Sequence, residues 1–365
     1  MLAVSRGSCH SIFVYDVAFS IDLEETERRI APVGQREATK HKRRAPRYFE
    51  YRPAPLRIEQ DTASVRIAPA LEVRPRVELV IYDFGAVNVV YQIPLGSGLD
   101  NLLTLSELLY ENEALLSDSR RRVDALVSLV EPALFASGIS ALVEDYVIFQ
   151  VEAFSGGVTV AELAHTHAQH LAQVLRAEPR ELSNDEVTDA LSHRISYGKD
   201  DLVIVDWNAA LVIDHEAADI LAVLEFANVE LLEMRVLDQR LDHALGAAYE
   251  RMSPRARKRR IATSALSDLQ EVSQWQVDSA VLFEGVNNAL KLLGDQYLAR
   301  LYRLVGQRFH LAEWDSSILR KLNTLEGIYQ KISDRVTARR MELLEWIIIV
   351  LIAVSIVLPF LPRAA

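Results

Sequence analysis

The first 215 residues alternate between strand-like and helix-like hydrophobic patterns. The segments SIFVYDVAFSI (11–21) and EDYVIFQVEAF (144–154) are rich in β-branched and aromatic residues and predict strands. Residues 77–95 and 201–216 each hold two apolar runs around a short turn, which predicts two β-hairpins. Helical spacing lies between these strands. The pattern predicts an α/β head.

The two predicted hairpins are similar to each other. LVIYDFGAVNVV (79–90) and LVIVDWNAALVI (202–213) align so that Phe84 matches Trp207 and Gly85 matches Asn208, two residues that tolerate a left-handed backbone. Each hairpin follows a strand and a helix. One interpretation is an internal duplication of a β-α-β-hairpin unit. The other is a chance match of two apolar hairpins.

From residue 216 onward the strand pattern disappears and long helices are predicted. Apolar residues near the end of this region are spaced four and three apart, as in a coiled-coil seam. Pairing within one chain and pairing between chains are both open, and an oligomer seam is predicted. Its residues are Ile318, Leu322, Leu325, Tyr329, Ile332 and Val336.

An uncharged apolar run follows Glu345 and predicts a single C-terminal transmembrane helix. Basic residues precede this run, so the positive-inside rule places the bulk of the chain in the cytoplasm. The predicted domains are a head (1–215), a helical stalk (216–341) and an anchor (342–362). The anchor residues are Trp346, Ile347, Ile348, Ile349, Leu351, Ile352, Ile356, Leu358 and Phe360. The full prediction is an α+β fold with membrane lipid as a partner.

Composition refines this localisation. The chain of 365 residues has one cysteine, Cys9, which suits a reducing compartment, and residues 1–20 show no signal-peptide pattern. The predicted location is therefore the cytoplasmic face of the cell inner membrane. The net charge is −11, which excludes a generally nucleic-acid-binding composition.

One basic patch stands out against this acidic background. It consists of Arg255, Arg257, Lys258, Arg259 and Arg260. Such a patch suits anionic lipid, an acidic protein surface or RNA. Interleaved aromatic residues, which favour nucleic-acid binding, are missing around it. A ribosome or RNA partner is therefore the weaker expectation.

Candidate chemistry is sparse. His167 and His170 share a helical face, but His165 points elsewhere and no acidic or cysteine ligand stands at metal spacing, so ordinary helix histidines are expected. Asp83 and Asp206 occupy matching hairpin positions, where aspartate usually caps backbone N–H groups. No phosphate-binding loop or nucleophile motif is present. A non-enzyme without cofactor or metal is predicted.

Several segments resemble the required-for-meiotic-nuclear-division family, whose members include yeast sporulation proteins, a mitochondrial inner-membrane protein and bacterial proteins. Residues 224–245 and 313–358 carry the resemblance, through Trp314–Asp315, Leu322–Asn323 and a Leu-Glu-Trp junction at 344–346. EDYVIFQVEAF and LAHTHAQHLAQ (163–173) are also similar. The resemblance implies a bacterial-type member with membrane attachment and this architecture, and no defined chemistry.

Together these patterns predict a non-enzymatic, tail-anchored scaffold that forms homo-oligomers through its stalk. The first alternative is a membrane tether for RNA or ribosomes. The second is a ligand-binding protein or enzyme with a site between the two halves of the head.

Overall fold

The computed structural model describes residues 3–34, 53–60, 64–68, 71–73, 75–96, 98–155, 160–252 and 296–357. The chain divides into two compact units. An α/β unit comprises residues 1–236 and 282–315, and a helical unit comprises residues 237–281 and 316–365.

An eight-stranded mixed sheet forms the centre of the α/β unit. Its order is β10-β11-β12-β9-β1-β7-β6-β3, and two small two-stranded sheets pair β2 with β8 and β4 with β5. The strands are β1 (Ala3–Asp16), β2 (Ser20–Ile21), β3 (Leu56–Gln60), β4 (Val65–Ala68), β5 (Leu71–Val73), β6 (Arg76–Ile81), β7 (Ala86–Pro94), β8 (Leu134–Phe135), β9 (Val143–Ser155), β10 (Arg194–Ile195), β11 (Leu202–Val205) and β12 (Ala209–Ile213). Both predicted hairpins are confirmed, as β6–β7 and β11–β12.

Helices connect and cover these strands. They are α1 (Leu23–Gly34), α2 (Leu99–Leu109), α3 (Glu113–Val130), α4 (Val160–Thr166), α5 (Ala168–Arg176), α6 (Asn184–Ala190), α7 (Ala218–Met252), α8 (Gln296–Arg308) and α9 (Leu311–Val357), with a 3-10 turn at Glu131–Ala133. Asn112 begins α3 by accepting a hydrogen bond from the Leu115 N–H (3.0 Å).

The first hairpin turn requires glycine. Gly85 has φ +104°, and a Cβ at this position would lie 1.8 Å from the Ala18 carbonyl oxygen. The Val17 N–H also donates to the Gly85 carbonyl (3.0 Å), so the end of β1 lies directly against the turn. Asn208, its predicted counterpart, is not among the described residues with positive φ.

The two faces of the sheet differ in composition because side chains alternate along each strand. On the core face, Cys9, Phe13 and Tyr15 of β1 join Phe149 of β9 and Tyr91 of β7 in one apolar cluster with α1 to α5. The opposite face, here called the α7 face, contacts α7 through two ion pairs, Arg57–Glu225 (2.7 Å) and Glu144–Arg235. The sheet is therefore covered by helices on both faces.

The predicted duplication agrees with strand order but not with strand direction. Outward from the central β1–β9 pair, each half runs first strand, second hairpin strand, first hairpin strand. However, β7 is antiparallel to β1, whereas β12 is parallel to β9. A repeated unit would keep the same direction, so the two halves are not copies of one arrangement, and the predicted duplicated head is corrected to one mixed α/β sheet.

Within the helical unit, the C-terminal part of α7 packs against α9. Lys321 bridges Asp238 (2.7 Å) and Asp242 (2.5 Å), and Leu241 is fully buried. The seam residues Ile318, Leu322, Leu325 and Tyr329 are buried within the single chain. The side chains of Ile332 and Val336 lie outside the described ones.

The transmembrane prediction is not supported. Among the described residues, no helix combines the length and apolarity needed to cross a membrane. The predicted transmembrane anchor and the membrane location derived from it are therefore wrong for this part of the chain.

The anchor residues themselves fall into two groups. Those in the described part of α9 are exposed, and they are Trp346, Ile347, Ile348, Ile349, Leu351 and Ile352. The side chain of Ile356 and the residues Leu358 and Phe360 lie outside what the structure describes.

Candidate functional site

A polar patch lies at the centre of the α7 face, where the first strands of the two halves meet. Ser8 and His10 follow each other on this face of β1, and Gln150 lies opposite Ser8 on β9. The Ser8 Oγ is 3.0 Å from His10 Nε2, which is 3.3 Å from Gln150 Oε1. Gln92 of β7 donates to Ser8 Oγ (3.4 Å). Four side chains from three strands therefore share one hydrogen-bonded network.

A buried ion cluster lies on the same face. Arg57 of β3 donates to Glu78 of β6 (2.8 Å) and to Glu225 of α7 (2.7 Å). The Glu225 side chain is 7% exposed and that of Arg57 is 17% exposed. One buried guanidinium thus faces two carboxylates. Removing Arg57, or removing its carboxylate partners, would leave an uncompensated charge in a low-dielectric region.

Burial controls the ionisation of this region. Desolvation lowers the pKa of His10, which favours the neutral imidazole, and the nearby Glu225 opposes that shift. Desolvation raises the pKa of Glu78, and Arg57 opposes it. Tyr82 is fully enclosed, and desolvation followed by the charge of Glu225 raises its pKa. The cluster therefore sets two carboxyl groups against one guanidinium, and burial favours the neutral form of Glu78.

We call this set of residues the polar layer: Ser8, His10, Arg57, Glu78, Asn88, Gln92, Gln150, Glu225 and Asn228. Its chemistry is hydrogen-bond and charge recognition. The distance between Ser8 Oγ and His10 Nε2 lies within the hydrogen-bond range that a nucleophile and its base require. However, Ser8 and Gln150 contact the same ring nitrogen, whereas the third member of a catalytic triad binds the other nitrogen. The geometry fits a binding surface better than a triad.

A second charged cluster surrounds Asp206 at the turn of the second hairpin. The fully buried Asp206 carboxylate accepts from Arg176 Nε (3.0 Å), Arg308 Nε (2.8 Å) and the Trp207 N–H (2.8 Å). Both arginines also bind Asp189, and hydrogen bonds from Arg308 lower the pKa of Asp189. These bonds tie α5, α6 and α8 to the hairpin.

Asp83 and Asp206 do not form an acid–base pair. The Asp83 carboxylate accepts the N–H of Phe84, as Asp206 accepts the N–H of Trp207, so both cap their own turns. Ala86, next to the first turn, pairs with Asp16 at the end of β1, whereas Ala209, next to the second turn, pairs with Val147, which itself pairs with Ser11 of β1. The strands β1 and β9 and a stagger of about five residues therefore separate the two turns, by on the order of 20 Å.

The other residues singled out from the sequence are scattered. His165 is exposed on α4. His167 lies at the break before α5, and His170 lies within α5. Within the described ranges, no group of three or more His, Cys, Asp or Glu side chains is placed to hold a metal ion. The basic patch Arg255, Arg257, Lys258, Arg259 and Arg260 lies outside the described residues.

The polar layer was missed because its members are far apart in sequence. A signal was present in two places. The alternation of Ile12 and Val14 extends backward through His10 and Ser8, which indicates a polar stretch on one face of a longer strand. Asn88 also interrupts an otherwise apolar strand. Arg57 and Glu225 join these residues only through the pairing of β3 and the packing of α7, which local sequence patterns do not reveal.

Comparisons with known proteins give a family but no activity. Residues 6–219 match the family model described as the N-terminal domain of the uncharacterised protein MJ0711. The uncharacterised protein MJ0711 of Methanocaldococcus jannaschii is 28% identical over 194 residues, which cover 52% of this chain and 58% of that protein. The chain thus spans little more than half the length of this relative. No solved structure matches the chain.

Proposed function

The chain belongs to the family of the N-terminal domain of the uncharacterised protein MJ0711, and we propose that it acts as a non-enzymatic scaffold of several copies. In this proposal, copies associate through one surface, the C-terminal apolar segment, which we define as residues 341–354 of α9. Association holds the α/β units together as one assembly. The observation that carries the proposal is the exposure of this segment.

The C-terminal apolar segment exposes more apolar surface than a monomer normally tolerates. Its large apolar side chains are 45–66% exposed, with Trp346 the most exposed. Each of these side chains has a total surface of roughly 150–200 Å², about half of which is exposed. The exposed apolar surface of the segment is therefore about 1,000 Å². Contiguous apolar patches on monomers rarely exceed a few hundred Å². A standard interface buries about 800 Å² per partner, so the area suffices for stable association.

The character of the segment favours a second copy as the partner. Residues 346–357 carry no charge, so this part of α9 is apolar on every side. A helix of this kind is stable in water only when other apolar surfaces surround it. Every copy of the chain supplies such a surface, and symmetric self-association covers all of them at once. The seam residues Ile318 and Leu325 are already buried within the chain, so they leave the segment as the available contact.

Light scattering and native mass spectrometry of the full chain test this proposal. We expect the wild type to have the mass of two or more copies. Replacing Ile348 and Ile352 with Gln should reduce it to one copy. The control is Leu319→Gln, because Leu319 is 45% exposed on the same helix but outside the segment.

Two outcomes would overturn the proposal. One is a wild-type mass of a single copy. The other is an unchanged mass in the Ile348 and Ile352 double variant. Flotation of single copies with lipid vesicles would also count against self-association, since vesicles would then cover the segment.

We also infer a distant relation to the required-for-meiotic-nuclear-division family. Its support is residues 224–245 and 313–358, which lie beyond the residues matched by the MJ0711 family model. A sequence profile built from these two segments alone should retrieve members of that family. Retrieval of MJ0711-like proteins alone would refute the relation.

A further inference from the structure

Two asparagines of the polar layer are buried without complete hydrogen bonding. Asn88 and Asn228 are both 0% exposed. Neither the Nδ2 nor the Oδ1 of Asn88 has a hydrogen-bond partner, and the Oδ1 of Asn228 has none. The Asn228 Nδ2 donates to the Leu224 carbonyl (2.8 Å). Leaving such groups unpartnered costs about 1–3 kcal/mol each, so their retention calls for an explanation.

Strand register places Asn88 under α7. One row of side chains crosses the α7 face through paired residues: Arg57, Val80, Asn88, Val14 and Glu144. Helix α7 is tied to both ends of this row, by Glu225 to Arg57 and by Arg235 to Glu144. Asn88 lies in the middle of the row.

The helical repeat then locates Asn228. It follows Glu225 by three residues, which is almost one turn, on the same side of α7. This places it about 4.5 Å past the Arg57 end, close to Val80 and next to Asn88 in the row. Both asparagines therefore face the layer between β6, β7 and α7, next to the ion cluster.

The ion cluster of this layer holds two carboxyl groups and one guanidinium. Arg57 is shared by Glu78 and Glu225, and the nearby Glu59–Arg76 pair on the sheet adds no net charge. Burial lowers the pKa of His10, which favours its neutral form. Isolated charge in a buried region is strongly unfavourable unless a counter-charge is present. The layer therefore favours the entry of a positively charged group.

From this placement we propose that a small, oxygen-seeking cation binds between β6, β7 and α7, at Asn88, Asn228 and Glu225. Carboxylate and carboxamide oxygens are the donors preferred by hard cations such as Na⁺, K⁺, Ca²⁺ and Mg²⁺. A protonated primary amine uses the same acceptors through its N–H groups. The amide of Asn88 can turn its oxygen toward the cation, since the two orientations of the group differ only in hydrogen bonding.

Thermal unfolding of the full chain tests the proposal and distinguishes the two sources of cation. The protein is held in tetramethylammonium chloride, and NaCl, KCl, CaCl2, MgCl2 or methylammonium chloride replaces it at constant ionic strength. We expect at least one cation to raise the Tm with saturation. A metal salt acting alone identifies an ion site, and methylammonium acting alone identifies an amine site.

Variants tie the effect to the site. Asn88→Leu and Asn228→Leu should each weaken the midpoint of the Tm shift at least tenfold, and Glu152→Gln, on the outer part of β9, should leave it unchanged. Asn88→Asp adds a carboxylate at the same position and should tighten the midpoint about tenfold. This variant answers the question even if the leucine variants fail to fold.

The proposal is overturned if no cation raises the Tm above its value in tetramethylammonium chloride. It is equally overturned if the shift keeps its midpoint in Asn228→Leu, or if Asn88→Asp leaves the midpoint unchanged.

Discussion

The two faces of the central sheet are built from the same strands but differ in polarity, because the α7 face mixes buried polar residues with buried apolar ones such as Ile12, Val14 and Ile148. On the core face, Phe13 and Tyr15 of β1 and Phe149 of β9 are fully or almost fully buried in one apolar cluster. On the α7 face, the neighbouring residues Ser8, His10 and Gln150 are also buried, at 7–8% exposure, but polar. The fold alone does not require this difference, since apolar residues on the α7 face would be buried equally well.

The difference in polarity has a cost in stability. Apolar burial stabilises by about 25 cal/mol per Å² removed from water, whereas a buried polar group only recovers what desolvation costs it. Proteins depart from the stable choice mainly at functional sites. The α7 face is such a departure, and mutations on the two faces should respond in different ways.

The largest expected effect belongs to the core face. Phe149→Ala removes a fully buried ring from the central strand and should lower the free energy of unfolding by about 3–5 kcal/mol in urea titration. The control is Glu152→Ala on the same strand, whose partner Arg6 is exposed, with an expected loss below about 1 kcal/mol. A loss below about 1 kcal/mol for Phe149→Ala would mean that the core face is not the main source of stability.

On the α7 face, stability should depend on pairing and not on volume. Arg57→Met keeps an unbranched side chain but leaves Glu78 and Glu225 unpaired, and should cost about 3 kcal/mol in the same titration. Adding Glu225→Gln to Arg57→Met should recover part of this loss, because one buried charge is removed with its partner.

Additive losses in the double variant would contradict this interpretation. They would show that Arg57 and Glu225 act independently, and that the α7 face is stabilised by packing, as the core face is.

The sequence predicted elements well where the hydrophobic period was clear. Both hairpins, the strand at β9 and the long helices α7 and α9 follow from local patterns. The direction of β12 relative to β9 did not follow, because similar hairpins give no information about how they join the sheet. The start of β1 at Ala3 was also missed, since Ser8 and His10 break the apolar pattern that marked the strand.

The site was less predictable than the fold for a physical reason. Its members come from β1, β3, β6, β7, β9 and α7, and a cluster of this kind exists only after the register of every strand is known. Asp83 and Asp206 were noticed because they are neighbours of turns, and in the structure they do what turn aspartates usually do. Arg308, which completes the cluster around Asp206, lies too far along the chain for any local pattern.

A third prediction concerns the outer side of α7. Burial raises the pKa of Glu230 to about 7, with opposition from the Tyr302 hydrogen bond and support from Asp315. The folded chain therefore holds a proton between about pH 4.5 and 7 that the unfolded chain releases. This contribution to stability is complete below pH 4.5 and is lost as the pH rises through 7, by at most about 3 kcal/mol.

Glu230→Gln should remove this pH dependence. At pH 8 the variant should be more stable than the wild type by about 2–3 kcal/mol, and at pH 5 the two should be nearly equal, as measured by urea titration at each pH. The control Glu313→Gln makes the same change at an exposed position. Parallel pH profiles for the wild type and Glu230→Gln would refute the assignment.

The smallest effect distinguishes the two faces by its sign. Asn88→Leu replaces an unpartnered buried amide on the α7 face with an apolar group of similar shape. In tetramethylammonium buffer it should raise the free energy of unfolding by about 1 kcal/mol, because the desolvation cost of the amide disappears. The matched control lies on the other side of the sheet, at the start of α3. There Asn112 accepts from the Leu115 N–H (3.0 Å) and donates to the Ile67 carbonyl (3.0 Å), so Asn112→Leu should lower the free energy by about 1 kcal/mol. If both substitutions destabilise equally, Asn88 is bonded as fully as Asn112, and the polar layer has no unmet demand for a ligand.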